Sequence, residues 1–78
     1  MWSAQEALRV WIGLSHACVR EGTPRPGMYS VAVEGYCPFL KKWVTEQAIG
    51  ETEEQVWDRL AEKMLFYLNA MAKQVLDL

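Results

Sequence analysis

The chain has 78 residues and a formal net charge of −2 at pH 7. A chain of this length forms one domain, which buries only about 60% of the surface that the unfolded chain exposes. Hydrophobic residues make up 51% of the sequence and charged residues 23%, which is ordinary globular usage and excludes a disordered chain. The 5 glycines and 3 prolines follow no period, so collagen-like and repeat architectures are excluded as well. We expect residues 1–78 to form a single small domain.

Charge is distributed unevenly along the chain. Residues 1–44 carry five basic and three acidic side chains, whereas residues 45–78 carry three basic and seven acidic ones. Glu6 and Arg9 interrupt the N-terminal segment, so no signal peptide is visible. No apolar run is as long as a membrane span, which needs about 20 residues. We therefore expect a cytoplasmic protein that is not bound to a membrane. In that compartment its two cysteines are free thiols.

The first predicted helix covers residues 3–21. Ser3 and Glu6 form the capping-box pattern S-x-x-E, which satisfies backbone donors at a helix start. Behind the cap, apolar residues recur at helical spacing as far as Cys18. The helix is expected to end before residues 23–27, because Thr-Pro-Arg-Pro-Gly is a loop sequence.

The middle of the chain is predicted to contain β-structure. Over residues 28–34, aromatic and β-branched residues alternate with smaller or polar ones, which is typical of a half-buried strand. Residues 35–38 are predicted to form a turn, and residues 39–48 fit either a strand or a helix. A lone strand cannot satisfy its backbone, so we favour a hairpin between these two segments. Pairing with the same strand of a second chain is the alternative.

The last predicted helix covers residues 52–76. Thr52 and Gln55 form a second capping-box pattern, and acidic residues crowd the first turn, where the helix dipole favours them. The apolar stripe that follows is wider than the ~100° that one packing face requires. We therefore expect a homodimer through this helix. The predicted interface residues are Leu60, Met64, Tyr67, Leu68, Met71 and Val75.

Together these elements predict an α+β fold with an N-terminal helix, a short β-hairpin and a long amphipathic C-terminal helix. The two strands followed by Gly50-Glu51-Thr52-Glu53-Glu54 resemble the strand–strand–helix part of HicB-type antitoxins over about half the chain. The N-terminal helix and the lack of an apolar-Pro-Asp-Leu-Pro-Gly segment depart from that family, and we do not assign the chain to it. An antitoxin-like dimer that binds nucleic acid remains an alternative.

The segment Y-C-P-F-L-K-K-W is the first candidate binding surface, because Tyr36, Phe39 and Trp43 are interleaved there with Lys41 and Lys42. Such a pattern can stack on bases and pair with phosphates. It can also form a protein-binding hot spot, since tryptophan brings a large rigid surface. The third interpretation is a core edge flanked by solvated lysines.

An acidic segment is the second candidate surface. It comprises Glu51, Glu53, Glu54 and Asp58. These carboxylates fit either a docking surface for a basic groove or helix capping with a solvated face.

Three residues, His16, Cys18 and Cys37, could in principle bind a metal ion or act as nucleophiles. Their spacing contains no C-x-x-C pair, which structural zinc sites usually have. Side chains two positions apart on one helix do not face each other, so His16 and Cys18 cannot pair there. The chain also lacks a Gly-rich phosphate loop, G-x-S-x-G and H-E-x-x-H. We predict a protein that is not an enzyme, with no catalytic residues, no metal and no cofactor.

The sequence thus favours a small macromolecule-binding protein that acts as an adaptor, regulator or inhibitor of a protein complex. Phage- and plasmid-type inhibitors are of this kind, and we expect a protein partner. Binding to nucleic acid is the alternative, and it depends on Arg25, Lys41, Lys42 and Trp43. A small Cys/His enzyme is the least favoured function.

Overall fold

The computed structural model describes residues 2–75 of the chain. In chain order the elements are α1 (Ala4–Ser15), β1 (Cys18–Gly22), β2 (Tyr29–Cys37), β3 (Lys42–Gly50), α2 (Glu53–Lys63) and α3 (Leu65–Val75). The predicted α+β class is confirmed. Residues 2–75 form three helices and a three-stranded antiparallel sheet, rather than two helices and a two-stranded hairpin.

Helix α1 begins where it was predicted and ends six residues earlier, at residue 15 instead of 21. The Ser3 hydroxyl accepts the Glu6 N–H, and the Glu6 carboxylate accepts the Ser3 N–H, both at 3.2 Å. This is the predicted capping box. His16 then adopts the left-handed conformation, with φ 51°, which ends the helix. The prediction that residues 16–21 are helical is wrong, because β1 occupies that part of the chain.

The sheet is a meander in the order β1-β2-β3. Strand β2 pairs antiparallel with β3 along the full length of both, which confirms the favoured hairpin and makes residues 42–50 a strand. Strand β2 continues through Cys37, so the turn predicted at residues 35–38 lies instead at residues 38–41. There Lys41 adopts a left-handed conformation with φ 54°. Strand β1 pairs with the other side of β2.

Helices α1 and α2 pack on one face of the sheet, and α3 packs against α1 and α2 on the same side. Burial alternates along β2 and β3, and α1 and α2 both contact β2, so the buried side chains of the sheet point towards the helix layer. Within residues 2–75, no segment covers the opposite face. The core consists of Leu8, Trp11, Val31, Val33, Cys37, Val44, Ala48, Val56, Trp57, Leu60, Ala61, Met64, Leu68 and Met71.

The connection between α1 and β1 rests directly on the sheet at Gly35. A Cβ atom built on Gly35 would lie 2.8 Å from the Cβ and 2.9 Å from the Cα of Ala17. Gly35 pairs with Val44, close to the turn that joins β2 and β3. Only a residue without a side chain allows Ala17 to approach this closely.

The C-terminal helix predicted over residues 52–76 is interrupted. Met64 has φ −98° and ψ 10°, and its N–H bonds to the carbonyls of both Leu60, at 3.0 Å, and Ala61, at 3.2 Å. Helix α2 ends there and α3 begins at the next residue, so one long helix is a wrong prediction. Residue 76 lies outside the described part of the chain.

The N-terminal cap of α2 is close to the predicted one. Thr52 Oγ1 accepts the Gln55 N–H at 3.1 Å. The Gln55 side-chain oxygen accepts the N–H of Glu51, at 2.9 Å, instead of the N–H of Thr52 that a capping box requires. The cap therefore satisfies two backbone donors, but one of them lies outside the helix.

Helix α3 does not have the amphipathic character that was predicted. Leu68 is 5% exposed and Met71 is fully buried, whereas Leu65 is 44% exposed and Phe66 is 66% exposed. Apolar residues thus lie on both sides of this helix. Its buried side packs against α1 and α2.

The apolar stripe predicted to form a dimer interface is largely buried within the single chain. Four of its six residues are at most 5% exposed: Leu60, Met64, Leu68 and Met71. Tyr67 is half-buried, and Val75 is exposed. Because the chain's own helices and sheet cover most of the stripe, its width is explained without a second copy.

Candidate functional site

The face of the sheet opposite the helices is built from alternate residues of the three strands. Val33 is buried on the helix side, so its neighbour Glu34, the alternate residues of β2 and their partners in register point the other way. We call this surface the open face. It comprises Cys18, Arg20, Gly22, Ser30, Ala32, Glu34, Tyr36, Trp43, Thr45, Gln47 and Ile49.

An aromatic pair stands at one end of the open face. Tyr36 and Trp43 are cross-strand neighbours, and their ring centroids lie 5.7 Å apart in an edge-to-face arrangement. Trp43 is 72% exposed and Tyr36 is 42% exposed, although tryptophan is highly buried in most proteins. Since edge-to-face packing is favourable, the pair holds a large aromatic surface rigidly in water.

The remainder of the open face is uncharged apart from Arg20 and Glu34. Its other polar side chains are hydroxyls and amides, such as those of Thr45 and Gln47. Ile49 adds a second apolar surface, 42% exposed, near the far end of β3. The face therefore combines aromatic and apolar area with neutral hydrogen-bonding groups.

The strand geometry separates Trp43 from its neighbouring lysine. Lys42 lies on the helix side of the sheet, where its Nζ is 5.3 Å from the ring centroid of Tyr67 and 5.9 Å from that of Phe66. Lys41 lies in the turn before β3. The interleaved lysines and aromatic residues of the sequence therefore do not form one surface.

Two further residues of the predicted surfaces lie away from the aromatic pair. Phe39 is partly buried against the core, and its carbonyl accepts the side chain of Gln74 at 3.0 Å. Arg25 lies in the exposed loop between β1 and β2, at the opposite end of β2 from Tyr36. Tyr29 and Tyr36 are seven positions apart, which corresponds to about 23 Å of strand. The four residues of the nucleic-acid hypothesis are thus not brought together.

The predicted acidic surface lies at the start of α2. Its members Glu51, Glu53, Glu54 and Asp58 are all exposed. Gly50, which precedes Glu51, lies about 23 Å from Trp43 along β3. Asp58 accepts a 2.6 Å hydrogen bond from the side chain of Gln5 on α1. The two predicted binding surfaces are therefore distinct.

The candidate metal ligands are also apart. His16 is exposed at the end of α1 and Cys18 on the open face, whereas Cys37 is buried on the helix side, and both cysteines are free thiols. Among residues 2–75, no three His, Cys, Asp or Glu side chains come close enough to hold a metal ion. In the same range, every helix is too short or too polar to span a membrane.

One feature was missed at the level of sequence, namely an open cleft of about 660 Å³ along the outer edge of β3. Arg59 and Lys63 of α2 line it, together with the half-buried Glu46. Arg59 Nη1 donates to the Ile49 carbonyl at 2.7 Å, and Lys63 Nζ donates to the Gln47 carbonyl at 2.6 Å. The i, i+4 spacing of the two cations on α2 is the only sequence signal for this arrangement.

The comparisons with known proteins place the chain in no family. No protein-family model matches the chain, and no significant match is found among curated proteins or among solved structures.

Proposed function

We propose that this chain is a protein-binding module whose open face docks on a partner protein. The exposure of Trp43 beside Tyr36 is the observation that carries the proposal. A tryptophan that is 72% exposed offers a large rigid apolar surface, and its burial against a partner favours association. Few other single residues contribute as much, and tryptophan and tyrosine are enriched in the hot spots of protein interfaces.

The composition of the open face favours a protein over a nucleic acid as the partner. Nucleic-acid surfaces carry several cations that pair with phosphates. The open face carries one cation, Arg20, and one anion, Glu34, and Lys42 faces away from Trp43 towards the rings of α3. Uncharged aromatic and hydrogen-bonding area is instead typical of the centre of a protein interface.

A binding surface of this kind suits an adaptor, a regulator or an inhibitor of a protein complex. Each of these roles requires a rigid surface that excludes water from a partner, and none requires a reactive group. The sheet supplies the rigidity, because β2 and β3 are paired along their full length beneath the aromatic pair.

Affinity capture with matched variants tests the proposal. The tagged full-length chain is incubated with a nuclease-treated lysate of the organism that encodes it, and bound proteins are identified by mass spectrometry. Trp43→Ala is compared with Phe66→Ala, because Phe66 is a similarly exposed aromatic residue (66% against 72%) on the helix layer. Both variants are first shown to be folded by circular dichroism.

The expected result is a stoichiometric partner that is captured by the parent and by Phe66→Ala but not by Trp43→Ala. Equal capture by both variants would remove the open face as the binding surface. If only nucleic acid binds, and its affinity falls steeply as salt increases, the alternative of a nucleic-acid-binding regulator replaces the proposal.

A further inference from the structure

Strand β3 forms one edge of the sheet, and the backbone of its alternate residues points away from β2. The carbonyls of Gln47 and Ile49 accept hydrogen bonds from Lys63 and Arg59, which lie outside the sheet. Gln47 and Ile49 therefore point their backbone N–H and C=O groups away from β2, and by alternation Thr45 does the same. Each of these carbonyl oxygens has a second lone pair, so the edge still offers acceptors, together with its outward N–H groups, to a further strand.

The two cations stand at the spacing of alternate strand residues. Arg59 and Lys63 are one turn apart on α2, about 6 Å along the helix, and Gln47 and Ile49 are about 6.7 Å apart along β3. Each cation donates one hydrogen bond to a carbonyl, but an ammonium has three donors and a guanidinium has five. Both side chains are exposed and line the open cleft. Among residues 2–75, the charged side chains that line the cleft are Glu46, Arg59 and Lys63, so the formal charge of the lining is positive.

We propose that an extended segment of the partner protein adds to the β3 edge as a fourth strand, with acidic side chains at alternate positions that pair with Arg59 and Lys63. This inference rests on the proposed function and specifies how the partner is recognised. Side chains of an added strand alternate between the two faces. Those towards the helix layer meet the two cations, and those in between lie on the open face beside Thr45 and Ile49.

In this mode of recognition, the backbone and the side chains of the partner segment make different contributions to binding. Main-chain hydrogen bonds to the edge provide affinity, and the alternate side chains provide specificity. The partner segment is therefore defined by its chemistry, which is acidic and apolar residues in alternation.

A second copy of this chain fits the edge less well than an acidic segment does. Antiparallel pairing of two β3 edges would place Arg59 and Lys63 of both copies along one ladder. Four cations would then face two Glu46 carboxylates, and like charges opposite one another are destabilising. An acidic segment in place of the second copy would pair with the cations instead of repelling them.

A peptide titration followed by NMR tests the proposal on the full-length, ¹⁵N-labelled chain. The probe is a blocked seven-residue peptide that alternates valine and glutamate, and the matched control carries lysine in place of glutamate. We expect the amide signals of Thr45 and Gln47 to shift and their hydrogen exchange to slow with the acidic peptide alone. The amides of Cys18–Gly22 on the opposite edge should stay unchanged.

Variants of the edge separate backbone pairing from charge. Thr45→Pro removes an outward N–H, and proline is tolerated at an edge position of this kind. We expect it to abolish peptide binding, whereas Thr45→Ala, which retains the donor, binds normally. The double variant Arg59→Gln and Lys63→Gln should weaken binding about tenfold, and it decides the question if the proline variant fails to fold.

Three results would overturn strand addition at β3. They are equal binding of the lysine peptide, shifts at β1 instead of β3, and edge shifts that grow with protein concentration in the absence of peptide. The last result would identify a second copy as the occupant. None of them affects the Trp43-dependent capture, so failure of this inference is distinguishable from failure of the proposed function.

Discussion

Replacing Gly35 by alanine tests the contact between the α1–β1 connection and the sheet. The added Cβ would lie 2.8 Å from the Cβ and 2.9 Å from the Cα of Ala17, and real Cβ atoms essentially never approach other heavy atoms within 3.0 Å. The Cα of Ala17 is backbone, so the whole connection has to move. Overpacking of this kind costs 1–3 kcal/mol, and we expect Gly35→Ala to lower the free energy of unfolding by about 2 kcal/mol.

The matched control is the same substitution at Gly13 in α1. No heavy atom lies within 4 Å of a Cβ built there, and alanine is favoured over glycine in a helix by about 0.5–1 kcal/mol. Urea denaturation followed by tryptophan fluorescence should therefore shift the midpoint down for Gly35→Ala and up for Gly13→Ala, with unchanged slopes.

A second substitution tests whether Ala17 is the cause. Ala17→Gly in the Gly35→Ala background removes the contact at 2.8 Å but leaves the one at 2.9 Å, so it should recover part of the lost stability. A Gly35→Ala protein as stable as the parent would refute the reasoning, because it would show that Ala17 does not press on the sheet.

Three further predictions concern the core and the first helix. Leu60→Ala should lower the unfolding free energy by about 2–5 kcal/mol without changing the mass measured by light scattering, because the side chain is fully buried within the chain. A parent protein that is a dimer and a Leu60→Ala variant that is a monomer would instead support the predicted dimer interface. The buried hydroxyl of Ser15 has no hydrogen-bond partner within residues 2–75, so Ser15→Ala should raise stability by about 1 kcal/mol, and a lowered Tm would contradict this. Hydrogen bonds from the Ser3 side chain and backbone hold the pKa of Glu6 below its usual value. The stability that they contribute is therefore fully present above the usual pKa of a glutamate, and it is lost as the pH falls through the lowered pKa of Glu6. Ser3→Ala should move the pKa of Glu6 upward in an NMR titration, and an unmoved pKa would exclude the capping box as the cause.

The starts of α1 and α2 were predictable from the sequence, and the other helix boundaries were not. The motifs at Ser3 and Thr52 are local, so they locate the starts of α1 and α2 directly. The end of α1 was missed because the apolar spacing continues to Cys18, and because His16 is a less common left-handed residue than glycine. Strand β1 is exposed at all five positions, so it shows no alternation that a pattern could reveal.

The candidate site was predictable in part, for a related reason. The aromatic content of the segment around Trp43 identified it as a candidate surface, and Trp43 and Tyr36 are indeed exposed there. Whether Lys42 shares that surface depends on whether residues 39–48 form a strand, since adjacent residues of a strand face opposite ways. The positions of Arg59 and Lys63 beside β3 depend on how α2 packs against that strand, and the i, i+4 spacing of the two cations does not reveal this packing.

The placement of α1 has a consequence for folding during synthesis. Its packing partners on the helix layer come from the last third of the chain, because Arg9 lies over the ring of Trp57 at 4.4 Å and the ring of Trp11 lies 6.4 Å from that of Tyr67. A ribosome adds about 5–20 residues per second, so about 2–8 s separate the synthesis of residue 15 from that of Trp57. The sheet, which α1 also contacts, is complete only when Gly50 has been added. Throughout the same interval, the indole of Trp11 is accessible to any chaperone that reaches the chain before α2 does.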